Sequence, residues 1–280
     1  IRAVASTLPY EAYTADNTYI YGTVRVITSA SQPFGWNFLF PYIVPTSLGL
    51  VSLVITWIIW KKQKTSLEPV GFEYFNELTQ GGIPEASSIM VIGGAASGKS
   101  ILCQELANTY LNEGKPCIYV TYDSFPDEVR KNMESFHWNP TTREKEGTFV
   151  LIDSCSSIAS HKSQEKHSVE QPFVLSDLGI AISAAFKEVK QKSPRVFIDS
   201  MTPLFMRNDP SKVMEFLQDR SAKIKSANGI LFFTLGEGTI PDDLMGRLVE
   251  IVDCIIELKI TREKENAHRE LGVRKMRGQE

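Results

Sequence analysis

The chain has 280 residues, a length that suits one large domain or one domain with additional segments. Its composition, with 42% hydrophobic and 22% charged residues, is that of an ordinary globular protein. A net charge of −3 and a pI of about 5.9 argue against nucleic-acid binding as its function.

The cysteines all lie after residue 100 and show no C-x-x-C spacing (Cys103, Cys117, Cys155 and Cys254). This distribution predicts buried free thiols in a reducing compartment rather than a disulfide framework. The four histidines are scattered and predict no metal site. The first residue is Ile1 rather than Met, so we expect that a signal has been removed or that the sequence is part of a longer protein.

Residues 1–35 are polar and aromatic and carry few charges. Within them, residues 18–28 (TYIYGTVRVIT) have the composition of one strand. Because a lone strand is not stable, two alternatives stay open here: a strand whose partners lie upstream, and a disordered segment.

Residues 26–60 contain no charged residue, and residues 38–60 are strongly apolar. At about 1.5 Å per residue, such a helix extends about 34 Å, enough to cross a hydrocarbon core. Aromatic residues lie near both ends, and Lys61, Lys62 and Lys64 follow at once. These features predict a single-pass transmembrane helix over 36–60 in the cell membrane, with 1–35 extracytoplasmic and the rest cytoplasmic. The alternative, a buried core helix, rarely lacks a polar face over this length.

A short basic linker, 61–69, precedes an α/β pattern over 70–280. The predicted strands are 88–92, 117–121, 148–152, 195–198, 229–234 and 254–259. The predicted helices are 100–112, 127–136, 175–190, 210–226 and 242–252. This alternation predicts a mostly parallel, twisted sheet with helices on both faces. Residues 154–171 are polar and without pattern, and we expect them to form a mobile loop.

The stretch 93–100 (GGAASGKS) fits the phosphate-loop pattern G-x-x-x-x-G-K-[ST] without a mismatch. Glycines let the backbone curl so that several N–H groups converge on a phosphate chain, at the start of a helix. Lys99 is then expected to reach the β/γ-phosphates of ATP and Ser100 to hold Mg²⁺. The predicted nucleotide-binding residues are Gly93, Gly94, Ala95, Ala96, Ser97, Gly98, Lys99, Ser100 and Ile101. The following helix is predicted to bury Ile101, Leu102, Leu106 and Tyr110 on one face.

Two acids follow predicted strands at the edge where ligands bind in open α/β sheets. Asp199 ends the strand RVFID and is expected to hold the water shell of Mg²⁺. Asp123 follows a strand that we expect beside the phosphate-loop strand, where an acid can orient the attacking water. Each acid alone has the alternative interpretation of an ordinary strand-end carboxylate.

Four ordered segments resemble the RecA superfamily and, within it, the KaiC-like ATPases: GGIPEASSIMVIGGAASGKS, YVTYDSFPDEVRKNMESFHWN, RVFIDSMTPLF and RELGVRKMRGQE. The resemblance covers about residues 70–280. It implies a RecA-like core that binds Mg-ATP between neighbouring subunits of a homo-oligomer, often a hexameric ring. By resemblance, Lys275 and Arg277 match the pair that reaches the γ-phosphate of the adjacent subunit, although a solvated basic tail is the alternative.

One departure from the family concerns hydrolysis. The family usually has two adjacent glutamates where this chain has Asp123-Ser124, so the acid is one methylene shorter and its neighbour is a hydroxyl. A shift of about 1 Å can change a rate a hundredfold. Binding should persist while hydrolysis becomes weak, and Glu237 is a further candidate for sensing the γ-phosphate or orienting water, unless it is only a loop carboxylate.

The sequence therefore predicts a membrane-tethered regulatory or signalling ATPase with slow hydrolysis and an unidentified protein partner. Two alternatives remain: a scaffold that binds nucleotide without hydrolysing it, and a DNA-handling RecA relative. The acidic pI and the alternating charges of residues 201–226 argue against the second.

Overall fold

The structure is a computed structural model that describes residues 67–68, 76–77, 79, 81–189, 193–263 and 266–277. The predicted segment 1–35, the predicted transmembrane helix 36–60 and the linker up to residue 66 lie outside these residues. Among the helices that the structure describes, none combines the length and the apolar character needed to cross a membrane.

The strands of the described residues are β1 (Leu67–Glu68), β2 (Ile83–Pro84), β3 (Ser88–Gly93), β4 (Cys117–Thr121), β5 (Phe149–Asp153), β6 (His167–Ser168), β7 (Arg195–Asp199), β8 (Ile230–Gly236), β9 (Cys254–Glu263) and β10 (Asn266–Met276). The helices are α1 (Lys99–Asn112), α2 (Pro126–Ser135), α3 (Pro140–Lys145), α4 (Cys155–Ile158), α5 (Leu175–Glu188), α6 (Thr202–Arg207), α7 (Pro210–Ser226) and α8 (Asp242–Ile251).

Eight strands form one sheet in the order β10-β9-β3-β8-β7-β4-β5-β6. All neighbours in it are parallel except the β9–β10 hairpin, and β1 pairs with β2 apart from it. The predicted α/β class with a mostly parallel sheet is confirmed. The expectation that β4 lies beside the phosphate-loop strand is wrong, because β8 and β7 separate β4 from β3. The hairpin strand β10 was not predicted.

The central strands are buried on both faces, which explains their continuous apolar sequences. Ile89 and Val91 of β3 pack in a cluster with α1, and Met90 and Ile92 pack on the opposite side with α5 and α7. Successive side chains of a strand point to opposite faces, so one short strand contributes to two cores. Helices therefore cover both faces of the sheet, as the sequence predicts.

Two local expectations are corrected by the structure. Residues 154–171 contain α4 and β6 and are tied to the domain: Ser163 donates to Asp153, and Arg130 pairs with Glu165 at 2.7 Å. Polar bonds and the buried side chain of Val169 hold this segment. One apolar anchor produces no periodicity, so the sequence pattern does not reveal these contacts. The side chain of Ile101 is 40% exposed and does not share the buried face of α1.

All four cysteines are free thiols, as predicted. Cys103, Cys117 and Cys254 are buried and Cys155 is half-buried. Burial raises the pKa of the Cys254 thiol to about 12 and shifts Cys103 and Cys117 in the same direction.

The buried carboxylate of Asp253 joins the start of β3 to the end of β10. It accepts from the backbone N–H and the hydroxyl of Ser88, both at 2.9 Å, and it pairs with Lys225 and with Arg277. Burial opposes the charged form, but the hydrogen bonds from Lys225 and Ser88 outweigh it and lower the pKa of Asp253. This contact lies at the amino edge of the sheet, the edge away from the phosphate loop.

Asp253→Asn is expected to lower the free energy of unfolding by about 2–4 kcal/mol at pH 7, because it removes one partner of a buried ion pair. A lowered native pKa contributes stability above the unfolded pKa of about 3.9, and this contribution is lost as pH falls through the native pKa. Urea unfolding at pH 7 and at pH 3 should therefore show the difference between wild type and variant shrinking at low pH.

The matched control is Asp219→Asn, which removes an ion-paired carboxylate whose side chain is 48% exposed. Surface pairs of this kind contribute about 0–1 kcal/mol, so its effect should be small. If Asp253→Asn lowers the free energy of unfolding equally at pH 7 and at pH 3, the carboxylate charge is not what stabilises the fold.

Candidate functional site

The phosphate loop connects the end of β3 to the start of α1. Gly98 adopts φ 103° and Ala96 φ 59°, so the chain turns through the left-handed region twice before the helix begins. A Cβ on Gly93 would lie 2.4 Å from the carbonyl oxygen of Leu258 and 2.7 Å from Ser97 Oγ, so only glycine fits there. No side chain caps the N-terminus of α1. Its first N–H groups are consequently available to an anion.

Lys99 folds back over this loop. Its Nζ donates to the carbonyl oxygens of Gly93 and Gly94, at 2.9 and 2.8 Å. Burial lowers the pKa of Lys99, and the charges of Asp199, Asp123 and Glu237 partly offset that shift. The ammonium group is thus held at the mouth of the loop, among the carboxylates that the sequence singles out.

The residues of the loop fit a polyphosphate group. Ser97 Oγ is buried and has no hydrogen-bond partner among the described residues. Ser100 is half-buried in the first turn of α1, and Ala95 and Ala96 form the exposed tip of the loop. An uncapped helix start, an unpaired buried hydroxyl and a lysine at one point are the donors that a phosphate chain requires.

Asp199 is buried at the end of β7, and both of its carboxylate oxygens accept hydrogen bonds. Tyr119 of β4 donates to Oδ2 and Thr234 of β8 donates to Oδ1, each at 2.8 Å. Burial and the charge of Asp199 raise the pKa of the Tyr119 hydroxyl well above its ordinary value, so this hydroxyl acts as a donor. The acid is therefore fixed from both neighbouring strands.

Asp123 follows β4 at the same carboxyl edge. Loss of hydration raises its pKa; Asp199 acts in the same direction, while a hydrogen bond with Ser200 and the charge of Lys99 act against it. A carboxylate with a raised pKa is a stronger base than an ordinary one, which suits the orientation of water.

Glu237 lies against the phosphate loop directly after β8. Its backbone N–H donates to Gly93 O at 3.1 Å, and its Oε2 is 3.8 Å from the position of a Cβ on Gly94. The structure therefore brings Lys99, Asp199, Asp123 and Glu237 together around one loop.

Lys275 and Arg277 do not join this cluster within one chain. Lys275 is buried, and its Nζ donates to the carbonyl oxygens of Val249 and Val252 at the end of α8. Arg277 contacts Asp253, and Asp253 binds Ser88, the first residue of β3. The phosphate loop begins at the other end of β3. Five residues of strand separate these points by about 17 Å. Their role toward a neighbouring subunit stays a prediction.

The sequence interpretation missed several residues of the site. Tyr119 and Thr234 lie within apolar strands, and their contacts to Asp199 span 80 and 35 residues. Ser200 follows Asp199 in the sequence, but nothing in the sequence predicts its hydrogen bond with Asp123. Arg269 of β10 brings its Cδ within 3.9 Å of the position of a Cβ on Gly98, which adds a cation beside the loop. No local pattern marks such cross-strand neighbours.

Comparison with known proteins gives consistent matches. A family model described as "ATPase: KaiC" matches residues 68–280. A UPF0273 protein of Methanopyrus kandleri is 32% identical over 211 residues, which cover 74% of this chain and 82% of that protein. A UPF0273 protein of Thermotoga maritima is 36% identical over 137 residues, 49% of this chain and 56% of that protein.

Among solved structures, a KaiC-like protein of Pyrococcus horikoshii is similar in fold. The TM-score is 0.61 at 24% identity, over 76% of this chain and 89% of that chain. This similarity supports a RecA-like fold for the described domain.

Proposed function

The chain belongs to the KaiC ATPase family, and from this premise we propose that it is a membrane-tethered regulatory or signalling ATPase that binds Mg-ATP at subunit interfaces and hydrolyses it slowly. The family supports a nucleotide-binding ATPase with a RecA-like domain. The observation that carries the Mg-ATP part of the proposal is the position of Lys99 at the mouth of the phosphate loop, near Asp199, Asp123 and Glu237.

Different residues of the site would bind the phosphate chain and the metal ion. The loop N–H groups, Ser97 and Lys99 would hold the phosphate chain, and Ser100 with Asp199 would hold Mg²⁺ and its water shell. The metal, when bound, neutralises charge on the phosphates. Two loop carbonyls hold Lys99 at the phosphate loop, and Lys99 would exchange these bonds for bonds to phosphate oxygens when nucleotide binds.

Hydrolysis is expected to depend on Asp123, the shorter acid of the site. Asp123→Asn should lower turnover about a hundredfold, because general-base groups contribute on that order, and should leave the Kd for Mg-ATP unchanged. The raised pKa places the acid limb of the pH–rate profile above the ordinary aspartate value, with activity rising as pH increases through it.

The matched control is Glu237→Gln, which neutralises the acid on the other side of the loop. If Asp123→Asn leaves turnover unchanged and Glu237→Gln lowers it, Glu237 is the residue that orients water. If single-turnover measurements detect no hydrolysis in the wild type, the alternative of a nucleotide-dependent scaffold replaces the ATPase. The hydroxyl of Ser124 in place of the second acid favours that alternative.

The membrane part of the proposal rests on residues 36–60 and the lysines after them. In sealed vesicles, a protease added on the cytoplasmic side should digest the α/β domain and leave a protected fragment that contains the apolar span. Vesicles opened with detergent provide the control. A domain that is shielded from cytoplasmic protease would contradict the orientation, and a chain that carbonate extracts from the vesicles would contradict the span.

A further inference from the structure

A line of polar side chains leads from half-buried Asn132 of α2 through Gln104 of α1 and Tyr119 of β4, both buried, to Asp199. Asn132 Nδ2 donates to Gln104 Oε1. The Gln104 side chain also lies in hydrogen-bonding contact with the Tyr119 hydroxyl, and this contact acts to lower the pKa of Tyr119 against the larger effect of burial. The Tyr119 hydroxyl in turn donates to Asp199 Oδ2 at 2.8 Å. The Asn132 and Tyr119 donors both point along the line toward the carboxylate, and hydrogen bonds in such a chain strengthen one another.

The line consists of rigidly packed residues. Tyr119 is fully buried, and its ring stacks on Phe197 at 5.9 Å and meets Phe149 edge-on at 6.4 Å. Gln104 is 3% exposed and lies one helical turn after Ser100, on the same side of α1. The ring and the amide therefore have little freedom to turn, and the direction of the hydroxyl is fixed.

The line begins on the helix that follows Asp123 and ends at Asp199. Asn132 belongs to α2, the helix that begins three residues after Asp123. Asp199 ends β7. The line thus connects α2, the helix that follows Asp123, to Asp199.

We propose that Asn132, Gln104 and Tyr119 form a positioning relay that orients the Asp199 carboxylate for the divalent cation bound with ATP. This inference rests on the proposed function, since it assumes that a metal–nucleotide complex binds at the loop. A carboxylate oxygen has two lone pairs. The bond from Tyr119 occupies one on Oδ2 and leaves the other for a further partner. The three residues would act on the metal through Asp199, as positioning residues.

The test measures metal affinity separately from nucleotide affinity in the whole chain. Mn²⁺ serves as the probe, because its electron paramagnetic resonance signal reports free and bound metal, and adenylyl imidodiphosphate serves as a nucleotide that is not hydrolysed. Tyr119→Phe should raise the Kd of Mn²⁺ for the protein–nucleotide complex about tenfold, the lower end of the effect of one hydrogen bond to a charged group. The metal-free Kd of the nucleotide should stay within about twofold of wild type, because Tyr119 does not face the phosphates.

Tyr122→Phe is the matched control. Tyr122 is a buried tyrosine next to the same strand, and its hydroxyl donates to Pro172 O at 2.9 Å, away from Asp199. The Tyr122→Phe variant should lose about as much stability as Tyr119→Phe and should leave the Kd of Mn²⁺ unchanged. Gln104→Met gives a second variant that keeps the shape of the side chain, and it should raise the Mn²⁺ Kd in the same direction by a smaller factor.

The outcomes separate the two ideas. Nucleotide binding by wild type, with equal Mn²⁺ affinity in wild type, Tyr119→Phe and Gln104→Met, overturns the relay and leaves the proposed function intact. If a variant loses as much affinity for nucleotide without metal as it loses for Mn²⁺, the relay is overturned as well, because the substitution then disturbs the whole phosphate loop. A wild type that binds no nucleotide overturns both. If Tyr119→Phe does not fold, Gln104→Met alone decides the result.

Discussion

Lys99→Ala is expected to lose at least about a hundredfold in affinity for Mg-ATP, which corresponds to about 2.7 kcal/mol of binding free energy. Lys99 bridges two carbonyls of the phosphate loop and is the cation held among three carboxylates. Without it, those carboxylates face the phosphates with no compensating charge from the loop. Binding should therefore fail although the loop backbone remains.

Thermal unfolding measures this loss directly. At a nucleotide concentration of about 100 times Kd, the wild type gains about 2.7 kcal/mol of stability, which raises Tm by roughly 5–10 °C for a domain of this size. Lys99→Ala should show no such rise. Lys212→Ala removes an exposed lysine from α7 and serves as the control, with a rise equal to wild type. An unchanged wild-type Tm in millimolar Mg-ATP would contradict nucleotide binding itself.

Arg277→Ala is expected to reduce ATP turnover about a thousandfold or more while ATP affinity stays near wild type, as the removal of a cation supplied in trans does. In one chain Arg277 lies at the amino edge of the sheet, and the phosphate loop lies at the carboxyl edge. If Arg277 acts on a γ-phosphate, we expect that phosphate to belong to a nucleotide bound by a neighbouring subunit. Arg277 suits the test better than Lys275, whose buried bonds to α8 make a folding defect the expected result of substitution.

Mixing experiments separate trans action from a local effect. Arg277→Ala subunits keep an intact loop and Lys99→Ala subunits keep an intact arginine, so mixed oligomers contain some complete composite sites and should regain part of the activity. Arg274→Ala is the control, since Arg274 lies on β10, three residues before Arg277, and pairs with Glu257 instead. If mixtures stay inactive although both proteins co-assemble, the trans assignment is wrong.

The elements nearest the site were the easiest to predict from the sequence. Strands β3, β4 and β7 are buried on both faces, so their apolar runs stand out, and the observed ends agree within one residue. The phosphate loop is a local feature of backbone and spacing, so its residues follow from the pattern. Asp199 and Asp123 follow from their places at strand ends.

The missing information is long-range. Sheet order depends on which strands pair across the fold, and no local pattern shows that β8 and β7 lie between β3 and β4. Strand β10 (NAHRELGVRKM) is largely polar because it forms the sheet edge, so it resembled a solvated tail. Lys275 is buried on this strand, and its ammonium group donates to two backbone carbonyls. A charged residue in the sequence gives no sign of such a buried position.

The burial of three cysteines makes the chain suited to selective chemical labelling without mutation. Thiolates are the reactive form, and burial suppresses them in Cys103, Cys117 and Cys254. Cys155, which is half-buried, is the thiol that a maleimide dye can reach first. Burial and the charges of Asp153, Glu128 and Asp123 raise the pKa of Cys155 as well, so its accessibility, rather than a more acidic thiol, makes it the first to be labelled. A fluorophore at this natural position would sit beside the carboxyl edge of the sheet and report its occupancy in the native sequence.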